Sequence, residues 1–286
     1  MTIALPDESW ERFARTMWGP LVGAPPVDGP LVEVSEERVW GWQLHADGEL
    51  LGKGRDPWFL AGEMRYWVVA YAFRRSPLHL LHASTVARDG RAVLLLAASG
   101  RGKTTLSLEL ADRGWAHHGD DLAAIDAATL QVSGIQTPAG IRDASRWATL
   151  SDRWSGAAPV APSKEFLLPA RAPQPGPIPV AALAFIEYGA GLAPVLEPVS
   201  AAEAMLLCAQ NSTGRDEDAL ATYSALCRAT RRGRLRYSST DDALVLLEQL
   251  LGTAQGSGPA KAPESDTERR KTADFFRKEF PRGPRE

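Results

Sequence analysis

A glycine-containing turn followed by a lysine and two threonines is the feature of this sequence whose residue types could bind phosphate. Residues 92–105 read Ala-Val-Leu-Leu-Leu-Ala-Ala-Ser-Gly-Arg-Gly-Lys-Thr-Thr. The apolar run predicts a buried strand, and Leu106 and Leu110, four residues apart, predict a helix after the turn. Glycine tolerates backbone angles that point successive N–H groups at an anion, and it places no Cβ in the way. The stretch therefore predicts a phosphate-binding loop at a helix N-terminus.

Within this loop, each residue type has an expected role. Lys103 would reach the β- and γ-phosphates, and the Thr104 hydroxyl would be a ligand for Mg²⁺. The full pattern has a glycine where Ala97 stands, so the match is to the shorter core Ser-Gly-x-Gly-Lys-Thr; the alternative is a glycine-rich turn with a chance lysine. The residues expected to contact a nucleotide, with ATP and Mg²⁺ as cofactors, are Ser99, Gly100, Arg101, Gly102, Lys103, Thr104 and Thr105.

Two adjacent carboxylates downstream, Asp120 and Asp121, are the second chemical feature. Phosphoryl transfer needs one carboxylate near the metal ion or its water and another to accept the proton of the nucleophile. If the apolar run that reaches Ile125 extends the strand back to these residues, their side chains face opposite sides, and only one points at the phosphates. The alternative is an acidic turn. His117 and His118 could be metal ligands, but neighbours on a strand point apart, and ordinary surface and core positions are favoured.

Composition narrows the class of protein. The chain has 286 residues, 44% of them hydrophobic, with a formal net charge of −3. It should bury one substantial core, and it should not be a general nucleic-acid binder. Cys208 and Cys227 lack metal-ligand spacing and should be core thiols. The first residues lack a signal-peptide pattern, and no run approaches the roughly 20 apolar residues of a membrane helix, so a cytoplasmic protein without a membrane span is expected.

Three regions are predicted along the chain. Residues 1–76 should form a small lobe with antiparallel strands and helices, including an amphipathic helix with Trp10, Phe13, Met17 and Trp18, a hairpin turning at residues 46–48, and a buried helix over residues 58–73. Residues 77–252 should form the nucleotide-binding domain. Residues 253–286 have few apolar side chains and should be a disordered tail, in which residues 272–280 could form a partner-bound helix.

In the nucleotide-binding domain, residues 78–86 and 91–97 flank Arg88-Asp-Gly90, which predicts a hairpin. The strand before the loop should therefore pair antiparallel with its predecessor, unlike an ordinary βαβ unit. A second hairpin should turn at residues 126–129. Residues 159–179 are rich in proline and should be extended, with a short strand at 165–168. The predicted elements that follow are strands at 180–186, 195–196 and 235–237 and helices at 201–209, 218–228 and 243–251.

The order of these motifs resembles a known family. His82-Ala-Ser-Thr-Val86, the Asp-Gly hairpin, Ser99-Gly-Arg-Gly-Lys-Thr104, Leu108-Glu-Leu-Ala-Asp-Arg-Gly114 and Asp120-Asp121 follow one another as in the catalytic domain of HPr kinase/phosphorylase. The resemblance covers about residues 78–126, weakens through about residue 250 and is absent from the N-terminal lobe. It implies an α/β fold with a phosphoenolpyruvate-carboxykinase-like P-loop kinase core and a mixed sheet.

By the same resemblance, His82 looks like the active-site histidine of the family, Lys103 like its phosphate lysine, Thr104 like its metal-binding hydroxyl and Asp120 like its general base. Asp121 would then orient the metal ion. Arg142 and Lys164 are further candidates for phosphate contacts.

The sequence also departs from the family pattern. Thr105 stands where the family usually has glutamate, and residues 135–142 carry no Glu-x-Arg-Gly segment, which leaves a second metal site open. The arginine-bearing Pro-x-x-Pro-Gly-Arg-Asn segment that serves dephosphorylation is also missing, so phosphorylase activity is not expected.

The leading hypothesis is an ATP-dependent kinase that phosphorylates a hydroxyl, most readily a serine, of a small protein or peptide, as do truncated relatives of the family that act on ribosomally made peptides such as lasso peptides. The alternatives are a non-catalytic or regulatory nucleotide-binding module and a small-metabolite kinase. A binding module needs only the loop, Lys103 and Thr104, whereas a kinase also needs the Asp120 carboxylate as a base. The sequence leaves open the acceptor, the donor (ATP, GTP or pyrophosphate) and the oligomeric state, including a homo-oligomer.

Overall fold

The computed structural model describes residues 2–18, 31–38, 41–56, 60, 63–64, 67–68, 78–135, 138–141, 154–161, 164–169, 176–212 and 217–252. The predicted tail at 253–286 and most of the predicted helix at 58–73 lie outside these residues. The described part has a mixed α/β architecture. None of the helices in these ranges is long and apolar enough to cross a membrane.

The described elements comprise five helices and sixteen strands. The helices are α1 (Glu8–Trp18), α2 (Lys103–Asp112), α3 (Ala201–Gln210), α4 (Glu217–Ala229) and α5 (Thr240–Leu251). The strands are β1 (Thr2–Ala4), β2 (Leu31–Glu37), β3 (Gly41–Ala46), β4 (Glu49–Gly54), β5 (Leu78–Leu81), β6 (Ser84–Arg88), β7 (Arg91–Leu96), β8 (Ala116–Gly119), β9 (Ala123–Asp126), β10 (Gln131–Gly134), β11 (Ala139–Ile141), β12 (Trp154–Ala161), β13 (Lys164–Pro169), β14 (Ile178–Tyr188), β15 (Val195–Pro198) and β16 (Arg231–Tyr237).

The N-terminal residues form a four-stranded sheet in the order β1-β2-β3-β4. The antiparallel pairing of β2, β3 and β4 and the hairpin between β3 and β4 are confirmed. β1, which was not predicted, adds to this sheet parallel to β2. The apolar side of α1 is also confirmed. Its Trp10, Phe13 and Met17 are buried against one face of the sheet, where Leu60 and Met64 complete a separate hydrophobic cluster.

The larger sheet has nine strands and is mixed. Its main order is β5-β9-β10-β14-β7-β6-β8, and β16 and β15 extend from β14. β7 pairs antiparallel with β6, as the hairpin predicts, and parallel with β14 on its other side. The hairpin between β9 and β10 and the strand predicted at 195–196 are likewise confirmed; that strand is β15, which pairs with β16.

The predicted continuous strand at 78–86 is wrong, because the chain breaks at His82 and Ala83. β5 pairs with β9 at one end of the sheet order, whereas β6 lies next to the other end. At the break, the His82 N–H donates to the Asn211 carbonyl oxygen at 2.7 Å, which ties it to the end of α3. Only two residues connect β5, at one end of the strand order, to β6, near the other end. The sheet must therefore curl, and this brings β8 close to β10.

Helices cover both faces of this sheet. α3 and α4 pack on one face against Leu94, Leu96, Leu183 and Phe185, and the buried thiols of Cys208 and Cys227 lie in this core, as predicted. α2 and α5 pack on the other face, against the alternate residues of the same strands. β7 therefore leads into a helix on one face, and its parallel neighbour β14 leads toward helices on the opposite face. Ligands of α/β proteins bind beyond the carboxyl ends of strands at such a reversal.

A third, antiparallel sheet has the order β11-β13-β12. β13 matches the short strand predicted within the proline-rich segment, whereas β12 was not predicted. β12 contains Pro159, and a proline lowers the expectation of a strand because it cannot donate a ladder hydrogen bond. Ala139 and Ile141 of β11 pack against Leu108 of α2, which places this sheet beside the helix that follows the loop.

Candidate functional site

The predicted strand, glycine turn and helix are all present around residues 91–112. β7 ends at Leu96, and α2 begins at Lys103 after a turn in which Gly100 and Gly102 have φ values of 78° and 94°. These left-handed values explain the two glycines. Gly102 occupies the N-cap of α2 and supplies no side-chain hydrogen bond to the first turn. The N–H groups at this helix end therefore lack a side-chain acceptor, as an anion site requires.

Lys103 lies across this turn. The residue is 5% exposed, and its Nζ donates to the Ala97 carbonyl oxygen at 2.7 Å. Burial lowers the pKa of Lys103, while the charges of Asp121 and Asp120 act in the opposite direction. A buried ammonium group held at the mouth of a glycine turn is placed to contact an anion bound there.

Asp120 joins three elements. It is 1% exposed and accepts hydrogen bonds from the Ser84 hydroxyl of β6 and, at 2.7 Å, from the Thr104 hydroxyl of α2. The turn after β8 thus delivers a carboxylate directly to the threonine that follows Lys103. Buried carboxylates persist where hydrogen bonds satisfy their oxygens. This contact links the two chemical features found in the sequence.

Asp121 has a different position from the one that strand alternation suggests. β9 begins only at Ala123, so the two aspartates do not alternate along a strand. Asp121 has φ 65°, which is uncommon for a residue other than glycine, and it is half-buried. Its charge still acts on Lys103.

Ser84 is the residue of this site that the sequence analysis did not single out. It lies within the His-Ala-Ser-Thr-Val segment that carries the resemblance, two residues after His82, and it is completely buried. A serine among apolar residues on a buried strand needs a hydrogen-bond partner. That requirement was the signal in the sequence that could have identified Ser84 as a residue with a polar contact.

The structure describes most, but not all, of the remaining predicted site residues. Ser99 and Arg101 are exposed in the turn, Thr105 is half-buried in the first turn of α2, and His82 is half-buried at the link between β5 and β6. The backbone of Lys164 pairs with Ala161, and its side chain lies outside the description. Arg142 lies outside the described residues.

His117 and His118 are both buried, so the expectation that one of them is at the surface is wrong. The His117 ring lies edge-on to Trp154 with centroids 5.3 Å apart, and its Nε2 has no hydrogen-bond partner. Burial, with a contribution from His118, lowers the pKa of His117 to about 4. Within the described ranges, no group of three or more His, Cys, Asp or Glu side chains could hold a metal ion.

No protein-family model matches the chain, and no curated protein matches it significantly.

Proposed function

We propose that the protein is an ATP- and Mg²⁺-dependent kinase that transfers the γ-phosphoryl group to a hydroxyl, in particular a serine of a small protein or peptide. The observation that carries the proposal is the 2.7 Å hydrogen bond between Thr104 and the buried carboxylate of Asp120. The two residues are sixteen positions apart in the chain. A phosphate loop whose hydroxyl residue meets a carboxylate is the arrangement that P-loop phosphotransferases use.

The geometry of the glycine turn also supports phosphate binding, independently of Asp120. Gly100 and Gly102 leave the turn without side chains, the first turn of α2 is uncapped, and Lys103 reaches back across the turn to Ala97. Phosphate oxygens would replace the Ala97 carbonyl oxygen as the partner of the Lys103 ammonium group. A charge-assisted hydrogen bond in a partly buried site is stronger than a neutral one.

Thr104 and Asp121 are the residues proposed to hold a magnesium ion. Mg²⁺ prefers oxygen ligands, keeps several waters and is usually bound by one or two protein oxygens together with substrate phosphates. The Thr104 hydroxyl in the first turn of α2 would be one ligand, and the Asp121 carboxylate, whose charge acts on Lys103, would orient the ion or its water. Asp120 then keeps the separate role of proton acceptor. When bound, the ion would neutralise charge that develops on the phosphates.

Asp120 is the proposed general base. Its Oδ1 accepts a hydrogen bond from Ser84 and its Oδ2 from Thr104. A carboxylate oxygen has two lone pairs, so either oxygen can accept a second hydrogen bond, from the hydroxyl of an acceptor serine. In the reaction, the acceptor oxygen would form a bond to the γ-phosphorus, the bond to the bridging oxygen would break and leave ADP with that electron pair, and the acceptor proton would pass to Asp120.

The first test is binding of MgATP by titration calorimetry to the wild type and to Lys103→Ala. The substitution removes the buried ammonium group and should abolish most of the affinity. Arg113→Ala is the matched control, because it removes one positive charge just after the other end of α2, where Arg113 forms a surface ion pair with Asp241. Equal affinity in all three proteins would refute a phosphate site in this turn.

A further inference from the structure

Tyr188 ends β14 directly beside the glycine turn. β14 runs parallel to β7, and Phe185 pairs with Leu96, so Tyr188 lies three residues beyond the point where β7 enters the turn. A Cβ built on Gly102 would be 3.9 Å from the Cβ of Tyr188. Tyr188 also alternates in phase with Ile186, which packs on the face of the sheet that α2 covers. Its side chain therefore starts alongside the N-terminus of α2.

The Tyr188 ring packs against a buried tyrosine ring and is itself exposed to solvent. Tyr188 pairs with Tyr237 of β16, and the two ring centroids are 5.8 Å apart at 54°. Tyr237 is 3% exposed, whereas Tyr188 is 48% exposed. Among the aromatic side chains whose exposure the structure describes, no other is as exposed. The exposed Tyr188 ring therefore lies against the buried Tyr237 ring and presents an aromatic surface to solvent.

Small residues border this surface on both sides. Gly100 and Gly102 lie on the side of the loop, and Gly189 and Gly191 follow Tyr188 in the chain. A Cβ at Gly100 or Gly191 would meet nothing within 4 Å, so there is open space beside both glycines. The Gly189 N–H donates to the Tyr237 carbonyl oxygen at 3.1 Å, which secures the second turn. Tyr188 therefore presents an exposed aromatic ring beside the proposed phosphate site.

We infer that Tyr188 stacks against the base of the phosphoryl donor, which makes the donor a nucleoside triphosphate and not pyrophosphate. The inference rests on the proposed function, since it needs a phosphate group held by Lys103. Every nucleobase presents a π-face, and aromatic side chains bind such faces by stacking. The position at the carboxyl ends of β7 and β14, where the connections leave for opposite faces, is where α/β proteins place such ligands.

The test compares two probes by calorimetry in the presence of Mg²⁺: ATP, which carries a base, and tripolyphosphate, which has the phosphates alone. The wild type should bind ATP more tightly than tripolyphosphate. Tyr188→Ala should weaken ATP binding about 5- to 150-fold, the range that loss of one stacking contact gives, and leave tripolyphosphate binding unchanged. Tyr188→Phe keeps the ring and should bind ATP like the wild type.

Leu50→Ala is the matched control, because Leu50 is 46% exposed on the N-terminal sheet, and it should bind both probes like the wild type. If Tyr188→Ala weakens both probes equally, or weakens neither, the stacking role is refuted. If the wild type binds both probes equally well, the loop remains a phosphate site and the base subsite is wrong; this comparison needs no variant. If the wild type binds neither probe, the proposed function itself fails.

Discussion

Acidification should destabilise this protein through His117. The imidazole is buried in β8 against Trp154, and its Nε2 has no hydrogen-bond partner. Burial lowers its pKa from 6.5 to about 4, and the neighbouring His118 adds to the shift. Between these values, the unfolded chain binds a proton that the folded protein excludes. The free energy of unfolding therefore falls as the pH is lowered through this window.

The size of the effect follows from the two pKa values. At pH 5, a histidine with a pKa of 6.5 is almost fully protonated in the unfolded chain, whereas one with a pKa of about 4 is mostly neutral in the folded protein. Relative to pH 7, this difference amounts to roughly 2 kcal/mol of lost stability. That is a large share of the net stability of a typical domain, which is about 5–15 kcal/mol.

Urea unfolding at pH 7, 6 and 5 would measure the effect in the wild type and in His117→Phe. Phenylalanine keeps a ring against Trp154 and removes the titrating group, so the stability of the variant should fall by roughly 2 kcal/mol less than that of the wild type between pH 7 and pH 5. NMR titration of the His117 ring gives an independent reading. Equal losses in the two proteins, or a ring that titrates near pH 6.5, would refute the argument.

Three further predictions concern the site and the curled sheet. Asp120→Asn should still bind MgATP but lower single-turnover transfer to a serine acceptor by about 10²- to 10⁴-fold, because an amide cannot accept the proton; transfer at the wild-type rate would contradict the base role. Ser84→Ala removes a hydrogen bond to that buried carboxylate, and chemical denaturation should show a loss of about 1.5–3 kcal/mol. Gly134→Ala should lower the thermal midpoint, because a Cβ there would overlap the His118 carbonyl group and cost about 1–3 kcal/mol or more of stability. Gly52→Ala is the control: its Cβ would meet its nearest atom at 3.5 Å, and the variant should melt near the wild-type temperature.

Local patterns in the sequence were sufficient to predict most elements of the large sheet and the turn at its centre. The apolar run of β7, the spacing of Gly100 and Gly102 and the periodicity of α2 each depend on residues close together in the chain. Backbone angles and side-chain periods depend on residues that are close together in the chain, so the strand, the turn and the helix could be predicted from the sequence. The Asp-Gly hairpin before β7 was predictable for the same reason.

Which residues meet across the fold was decided by the tertiary structure alone. Alternation assigns a side chain to a face but does not name its partner, so the contact of Ser84 with Asp120 was not foreseeable. The break at His82 arises because the curled sheet brings its two ends together, and no local signal marks that closure. Tyr188 lies two residues beyond the strand predicted at 180–186, and nothing in the sequence marks it as a site residue. The parallel pairing of β14 with β7, across more than eighty residues of chain, is what places its ring beside Gly102.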